Sequence, residues 1–417
     1  MVQALQINED LLCPEAIEDP YTYFGRLRAL DPVHWNPLWQ GWIVTRYQDV
    51  VAVLHDAARF SSHRMAYLDA HASVEKRQAL EHYFAMLSRW LVFIDPPDHT
   101  RLRLLLQKAS FTPRQLASWR PRIQAIVDDL LAQIEPGTPI DFVQAFAFPL
   151  PVLVVSEILG FPPEDREQVR LWTTDVALPF FLALGMDARQ KWARAEQAAK
   201  EFGAYARDLL QDRKQRPRDD LLTAMVQAEH RGDFLNEDEV VANTVLLMIA
   251  GHETTSNLLA NGLLAFLRHP EQIDLLRHQP DLSAPAVEEC LRYDPPVTAT
   301  VRWAKEDREL AGQSIKAGQK LLLVLAAANR DPEQFHAPDQ FDITRRVTPQ
   351  QHTSFAVGTH YCLGAPLARQ EGEVAFTTLF QRCRTLTLAT ARPTYKPMVI
   401  ARALECLPVV LAYKVST

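Results

Sequence analysis

The sequence predicts a mainly α-helical protein with a small β region. Three observations carry that expectation. Apolar residues recur at helical spacing through a dozen segments, strand-like stretches are short and few, and one segment, 236–268, is apolar on every face through its middle. In chain order the helical pattern fits Tyr21–Leu30, Tyr47–Asp56, His99–Ala109, Pro113–Gln133, Leu150–Leu159, Pro163–Val176, Ala188–Arg213, Leu221–Ala228, Glu237–Arg268, Pro270–His278, Ala284–Tyr293 and Ala365–Arg382. The strand-like pieces are Gly41–Thr45, Lys320–Leu325, Thr385–Leu388, Met398–Ala401 and Val409–Tyr413. Asn236, with Glu239 three residues on, reads as the N-cap of the long helix, which stops before Pro270.

With no repeat, low-complexity tract or Gly/Ser linker, the 417 residues read as one domain. Its expected parts are a β-containing N-terminal part to about residue 60, a helical body from about 61 to 383, and C-terminal β segments from about 384. Hydrophobic residues at 47% and charged residues at 23% are ordinary for a globular chain. The formal charge, 44 basic against 51 acidic residues or −7, argues against a nucleic-acid binder. Met1–Pro20 is acidic and lacks the pattern of a leader or anchor, and no stretch approaches the ~18 uninterrupted apolar residues of a membrane span. Five cysteines without Cys-x-x-Cys pairing fit a reducing compartment, so the expected location is cytoplasmic.

The segment Ser354–Pro366 presents Cys362 on a glycine-bearing loop at the mouth of the helix Ala365–Arg382, with Pro366 in the first turn. Helix dipole and free amides there favour a thiolate, and Gly358 and Gly364 let the backbone bend and come close to a flat ligand. In the long helix, Gly251 costs about 1 kcal/mol relative to alanine, and Glu253 and Thr254 place polar groups where burial is expensive. Ala250 and Thr254, four apart, share a face. Glu289 and Arg292 lie within bonding reach on another helix, and His99 and Arg103 share one face of a third.

The pattern Phe355-x-x-Gly358-x-His360-x-Cys362-x-Gly364 resembles the haem-thiolate loop of the cytochrome P450 family, and the resemblance spans nearly the whole chain. It implies the triangular helical body around a buried haem (heme b, iron protoporphyrin IX), with Cys362 as axial iron ligand, Phe355 packed beside the sulfur and His360 reaching a propionate. The chain departs from the usual form at Ala356, where the family generally has a second glycine. Ala250-Gly251-His252-Glu253-Thr254-Thr255 resembles the family's oxygen-activating motif, which implies that Thr254 positions bound oxygen and Glu253 delivers protons from solvent. Glu289-x-x-Arg292 resembles the family's buried ion network, with Arg345 as third member and Arg346 as the alternative. His99, Arg103 and Arg302 match its propionate clamps.

The implied activity is a monooxygenase that uses O2 to hydroxylate or epoxidise a medium-sized apolar molecule. No nucleotide-binding Gly-x-Gly-x-x-Gly signature is present, so NAD(P)H would act only indirectly, through a reductase and a separate ferredoxin or flavodoxin. Arg101, Lys108, Arg114 and Arg369 are candidates for the docking patch. The expected pocket comprises Leu246, Ile249, Ala250, Val297 and Thr298, with contributions from Ser62–Phe93 (Tyr67, Tyr83, Phe84, Met86, Trp90) and Leu178–Gly185. A peroxide-driven hydroxylase or haem isomerase, and a haem-binding sensor without turnover, are the rival expectations.

Overall fold

The computed structural model describes residues 7–413 apart from 71, 111, 180–186, 231, 349–350 and 391, so most of the expected lid Leu178–Gly185 lies outside the described residues. Helices dominate, as the spacing of apolar residues predicts. Five of them position the site: Asp98–Ala109 (α1), Pro149–Leu159 (α2), Glu237–Arg268 (α3), Ser283–Tyr293 (α4) and Ala365–Arg382 (α5). The longest, α3, begins at a full capping box: Asn236 accepts from the Glu239 amide, and the Glu239 carboxylate accepts from the Asn236 amide. It runs through the main apolar core, where Val245, Met248, Leu259 and Leu263 are almost wholly buried. Gly262 is needed for close packing, since a Cβ there would stand 2.6 Å from the Phe376 ring of α5.

Among the described residues the strands form four sheets: two two-stranded hairpins and two larger sheets of three and five strands. In the five-stranded sheet, Val33–Asn36 (β1), Gly41–Val44 (β2), Phe60–Ser61 (β3), Thr300–Ala304 (β5) and Lys320–Leu323 (β6) lie in the order β1-β2-β6-β5-β3. Only β2 and β6 pair in parallel, Leu321 opposite Trp42 and Leu323 opposite Val44. Both faces are covered, because Trp42, Val44, Leu321 and Leu323 enter one apolar cluster while Ile43 and Leu322 enter another. The three-stranded sheet joins Pro139–Asp141 (β4), Cys383–Leu388 (β7) and Pro408–Tyr413 (β8).

Three expectations change. Met398–Ala401 is not a strand; it keeps only the isolated bridge Val297–Ala401. The strand expected over Lys320–Leu325 ends at Leu323, and Leu325 opens a one-turn helix. The run Ser62–Phe93 holds three short helices, and Tyr83, Met86 and Trp90 pack into the core. Among the described residues, no helix is long and apolar enough to cross a membrane.

Candidate active site

Between the cysteine loop, α1, α2, α3 and β5 lies a cavity with about 1510 Å³ of space not filled by protein atoms, part of it continuous with solvent. Phe355, His360, Cys362 and Gly364 line it from the loop, Leu246, Ala250, Gly251 and Thr254 from α3, and His99 and Arg103 from α1.

The loop folds back on itself through one bond, the Cys362 amide donating to the Phe355 carbonyl at 2.9 Å. Its tightness shows at two residues with positive φ, Ala356 at 56° and Gly358 at 71°. A Cβ on Gly358 would also sit 2.9 Å from the Leu54 carbonyl oxygen, so glycine is required there twice over. Gly364 has an ordinary φ of −83°. It meets no other atom within 4 Å where a Cβ would stand, and it leaves that part of the cavity wall low.

The sequence argument expected a helix N-terminus to favour the thiolate. In the folded protein, burial pushes the Cys362 thiol up. The amides of Gly364 and Ala365 and the guanidiniums of Arg103 and Arg369 pull it back only in part. A thiol so placed ionises fully against a metal cation, which inverts the local balance of charge.

A cationic rim stands beside the cysteine. The rings of His99 and His360 lie 4.1 Å apart, and neither His99 nitrogen nor His360 Nε2 has a hydrogen-bond partner. Arg302, 6% exposed, donates to the Val301 carbonyl at 2.9 Å and the Thr300 hydroxyl at 3.3 Å. Among the described residues, no carboxylate lies within ion-pair distance of Arg302 or Arg103. Burial, reinforced by the neighbouring cations, pushes His99 down to about 4 and His360 to about 2. Burial pushes Arg302 down to about 10 and also lowers Arg103. Desolvated cations and orphaned imidazoles around one cavity are costly unless an anion joins them. The donor set fits a planar macrocycle carrying two carboxylates and a metal that takes one thiolate.

On α3, Leu246, Ala250 and Thr254 line the cavity, whereas Ile249 and Glu253 do not. The Thr254 hydroxyl donates to the Ala250 carbonyl at 2.7 Å, bonding back to its own helix. Glu253 is half-buried, and burial pushes its carboxyl up to about 7 against a small opposing pull from Lys396. Val297 lines the cavity but Thr298 does not. The Thr298 hydroxyl donates to the Val399 carbonyl at 2.8 Å, away from the site. The expected run Ser62–Phe93 does line the cavity, through Leu91 and Val92, while the α2 residues Val155, Ile158 and Leu159 were missing from the expected wall. The uniformly apolar run Leu150–Leu159 marked a buried helix but carried no sign of which face meets a cavity.

Beneath the site, Glu289 is fully buried. It accepts from Arg292 Nε at 2.7 Å and Nη2 at 2.8 Å, from Arg345 Nε at 3.3 Å and from the Asp342 amide at 3.0 Å. Arg345, not Arg346, is thus the third member. Of the four docking-patch candidates, Arg101 is paired to Glu239 and Arg369 to Glu288. Lys108 and Arg114 are exposed.

Fold and site define a class: a helical protein that offers one cysteine and a cationic rim to a flat, metal-bearing dianion. The family model for cytochrome P450 matches residues 165–282 and 283–403, more than half of the chain. The biotin biosynthesis cytochrome P450 of Bacillus subtilis (strain 168) is 40% identical, over 95% of this chain and 97% of that protein. The vitamin D(3) 25-hydroxylase of Pseudonocardia autotrophica is 38% identical, over 97% and 96%. The crystal structure of P450BioI in complex with an acyl carrier protein ligated to hexadec-9Z-enoic acid superposes with a TM-score of 0.87 at 38% identity, covering 95% of this chain and 99% of that one. This chain belongs to the cytochrome P450 family and is a monooxygenase of it.

Proposed function

We propose that the protein binds haem b through Cys362 and inserts one atom of O2 into a medium-sized apolar molecule, by hydroxylation or epoxidation. When bound, the haem supplies oxygen activation, which thiolate ligation favours by donating electron density towards O–O cleavage. His99, Arg103, Arg302 and His360 hold its two carboxylates, taking up the unmatched cationic character of the rim. Phe355 packs beside the sulfur and its carbonyl fixes the Cys362 amide.

On the substrate side, Ala250 and Gly251 keep the α3 wall low, and Leu246 and Val297 make it apolar. Thr254 positions the reacting oxygen by exchanging its bond to the Ala250 carbonyl for one into the cavity. Glu253, whose carboxyl burial pushes up to about 7, binds and releases a proton across the neutral range and is the proposed proton donor. The relatives' names supply the range of substrates to test: a fatty acyl chain on a carrier protein and a sterol-like molecule.

Electrons come from a ferredoxin or flavodoxin whose reductase uses NAD(P)H. Lys108 and Arg114, both exposed, are the proposed basic contacts for an acidic partner.

The observation that carries this reading is the meeting of Cys362 with His99, Arg103 and His360 around one cavity, with the buried Arg302 acting electrostatically on both histidines. Its test is the ferrous carbonyl spectrum of the purified protein, followed by substrate-dependent NADPH consumption with a surrogate ferredoxin and reductase. A carbonyl band like that of an imidazole-ligated globin refutes it. So does a thiolate-type band with no turnover on any acyl or terpenoid substrate.

A further inference from the structure

α4 carries two successive glutamates that face different partners. Glu289 holds Arg292 and Arg345, as described. Glu288, 7% exposed, joins a separate group that reaches the cysteine loop.

Arg369 on α5 donates to Glu288 twice, from Nε at 2.5 Å and Nη2 at 3.1 Å. His352 Nδ1 accepts from the Ser354 amide at 3.2 Å, so Nε2 carries the hydrogen and donates to Glu288 at 3.0 Å. Burial alone would raise the Glu288 carboxyl, but His352 and Arg369 hold it below its ordinary value. With Glu288 fixing it, the Arg369 guanidinium lies 4.6 Å from the centre of the Phe355 ring and donates from Nη1 to the Tyr361 hydroxyl at 3.0 Å. Phe355 is the residue whose carbonyl holds the Cys362 amide, and Tyr361 precedes the cysteine. The Ser354 hydroxyl donates to the Leu291 carbonyl at 2.6 Å, which ties the same loop to α4.

Arg369 is therefore a cation seated against the cysteine loop, and no part of the carboxylate-binding rim. Its charge acts on the sulfur side, partly offset by Glu288 behind it. Because the pair is anchored at both ends, its field at Cys362 is fixed in direction.

We propose that Glu288, His352 and Arg369 form a tuning network in which Arg369, as a positioning residue, sets the potential at the Cys362 sulfur and through it the reduction potential of the haem iron. This rests on the haem-thiolate reading above. One electron enters the iron from an external donor, and none of the three side chains gains or loses one.

The sign follows from the charges. Arg369→Gln removes a positive charge and leaves Glu288, so reduction becomes harder. Glu288→Gln keeps an acceptor for Arg369 and His352 but removes the opposing charge, so reduction becomes easier. Each change is expected to move the equilibrium constant for reduction by about tenfold, ~59 mV for a one-electron couple. Arg369→Lys keeps the charge and is expected to stay within about twofold of the unaltered protein.

The experiment is a spectroelectrochemical titration of the haem-loaded proteins, with the ferrous carbonyl spectrum recorded for each. Opposite shifts in Arg369→Gln and Glu288→Gln, both with thiolate-type carbonyl bands, support the network. Shifts in the same direction, or potentials all within about twofold of the unaltered protein, overturn it. If Arg369→Gln retains no haem, Arg369→Lys and Glu288→Gln decide alone: an unchanged potential in the first and a raised one in the second support the network, and any other pair overturns it. An unaltered protein without a thiolate-type carbonyl overturns the haem-thiolate reading itself, a result distinct from all of these.

Discussion

Replacing Glu289 by alanine is expected to remove haem-loaded protein rather than merely slow turnover. The carboxylate is wholly buried and collects four hydrogen bonds, two from Arg292 and one each from Arg345 and the Asp342 amide. Without it, Arg292, also 0% exposed, keeps the carbonyls of Asn329, Pro338 and Gln340 at 2.8–3.0 Å and the faces of the Tyr293 and Phe335 rings. Those dipoles soften a buried cation but do not neutralise it. Stranding one member of a buried pair costs about 3–5 kcal/mol, against a total stability of ~5–15 kcal/mol for a typical domain. The damage also reaches the cysteine loop, because α4 carries the Leu291 carbonyl that receives the Ser354 hydroxyl. The assay is the ratio of Soret to protein absorbance in material expressed with haem precursor, together with the denaturant midpoint. Glu289→Gln, which keeps the shape and one acceptor, should fall between alanine and the unaltered protein. Full haem loading in Glu289→Ala, with an unfolding free energy within about 1 kcal/mol of the unaltered protein, would refute the reasoning.

Two further expectations concern backbone and pH. Ala356→Gly should stabilise the protein by up to about 1 kcal/mol, since relief of a left-handed alanine gains ~1–2 kcal/mol and the freer unfolded chain costs ~0.4–1. Gly358→Ala should cost at least about 1 kcal/mol, because the same strain adds to a contact with the Leu54 carbonyl and outweighs the stiffer unfolded chain; equal denaturant midpoints for the two variants would count against both. For Glu253, the folded carboxyl at about 7 binds a proton that the unfolded chain has released above its ordinary value near 4.5. Stability at this group is therefore greatest at acidic pH and falls as pH rises through that window, by on the order of 3 kcal/mol in all, then levels off above 7. Glu253→Gln should remove that slope, and denaturation curves of both proteins at several pH values check it.

Sequence alone located the chemistry better than the walls around it. The caps of α3, the Cys362 loop and the Glu289–Arg292 spacing are local patterns in which residue type and spacing do the physical work, and each folds as read. Short strands are harder to see, because β5 exists only through pairing with β3 and β6, partners far away in the chain. Within Ser62–Phe93, Leu91 and Val92 line the cavity as expected of the run, but its aromatics were harder to place: an apolar residue is equally suited to a core and to a pocket, and only the packed structure sends Tyr83 and Trp90 to the core.

The errors on the cavity wall have a simpler cause, since both break a periodicity available from the start. Along α3, Leu246, Ala250 and Thr254 are four apart and share one stripe, whereas Ile249 and Glu253, also four apart, form another. Near β5, Val297 and Thr298 are consecutive on irregular chain, and the two point to different sides. For the acid and alcohol the consequence is mechanistic. Glu253 stands outside the cavity lining while Thr254 lies within it, so the proposed proton delivery would have to reach the cavity from outside its wall. Burial raises the proton affinity of Glu253, and Lys396 opposes that rise.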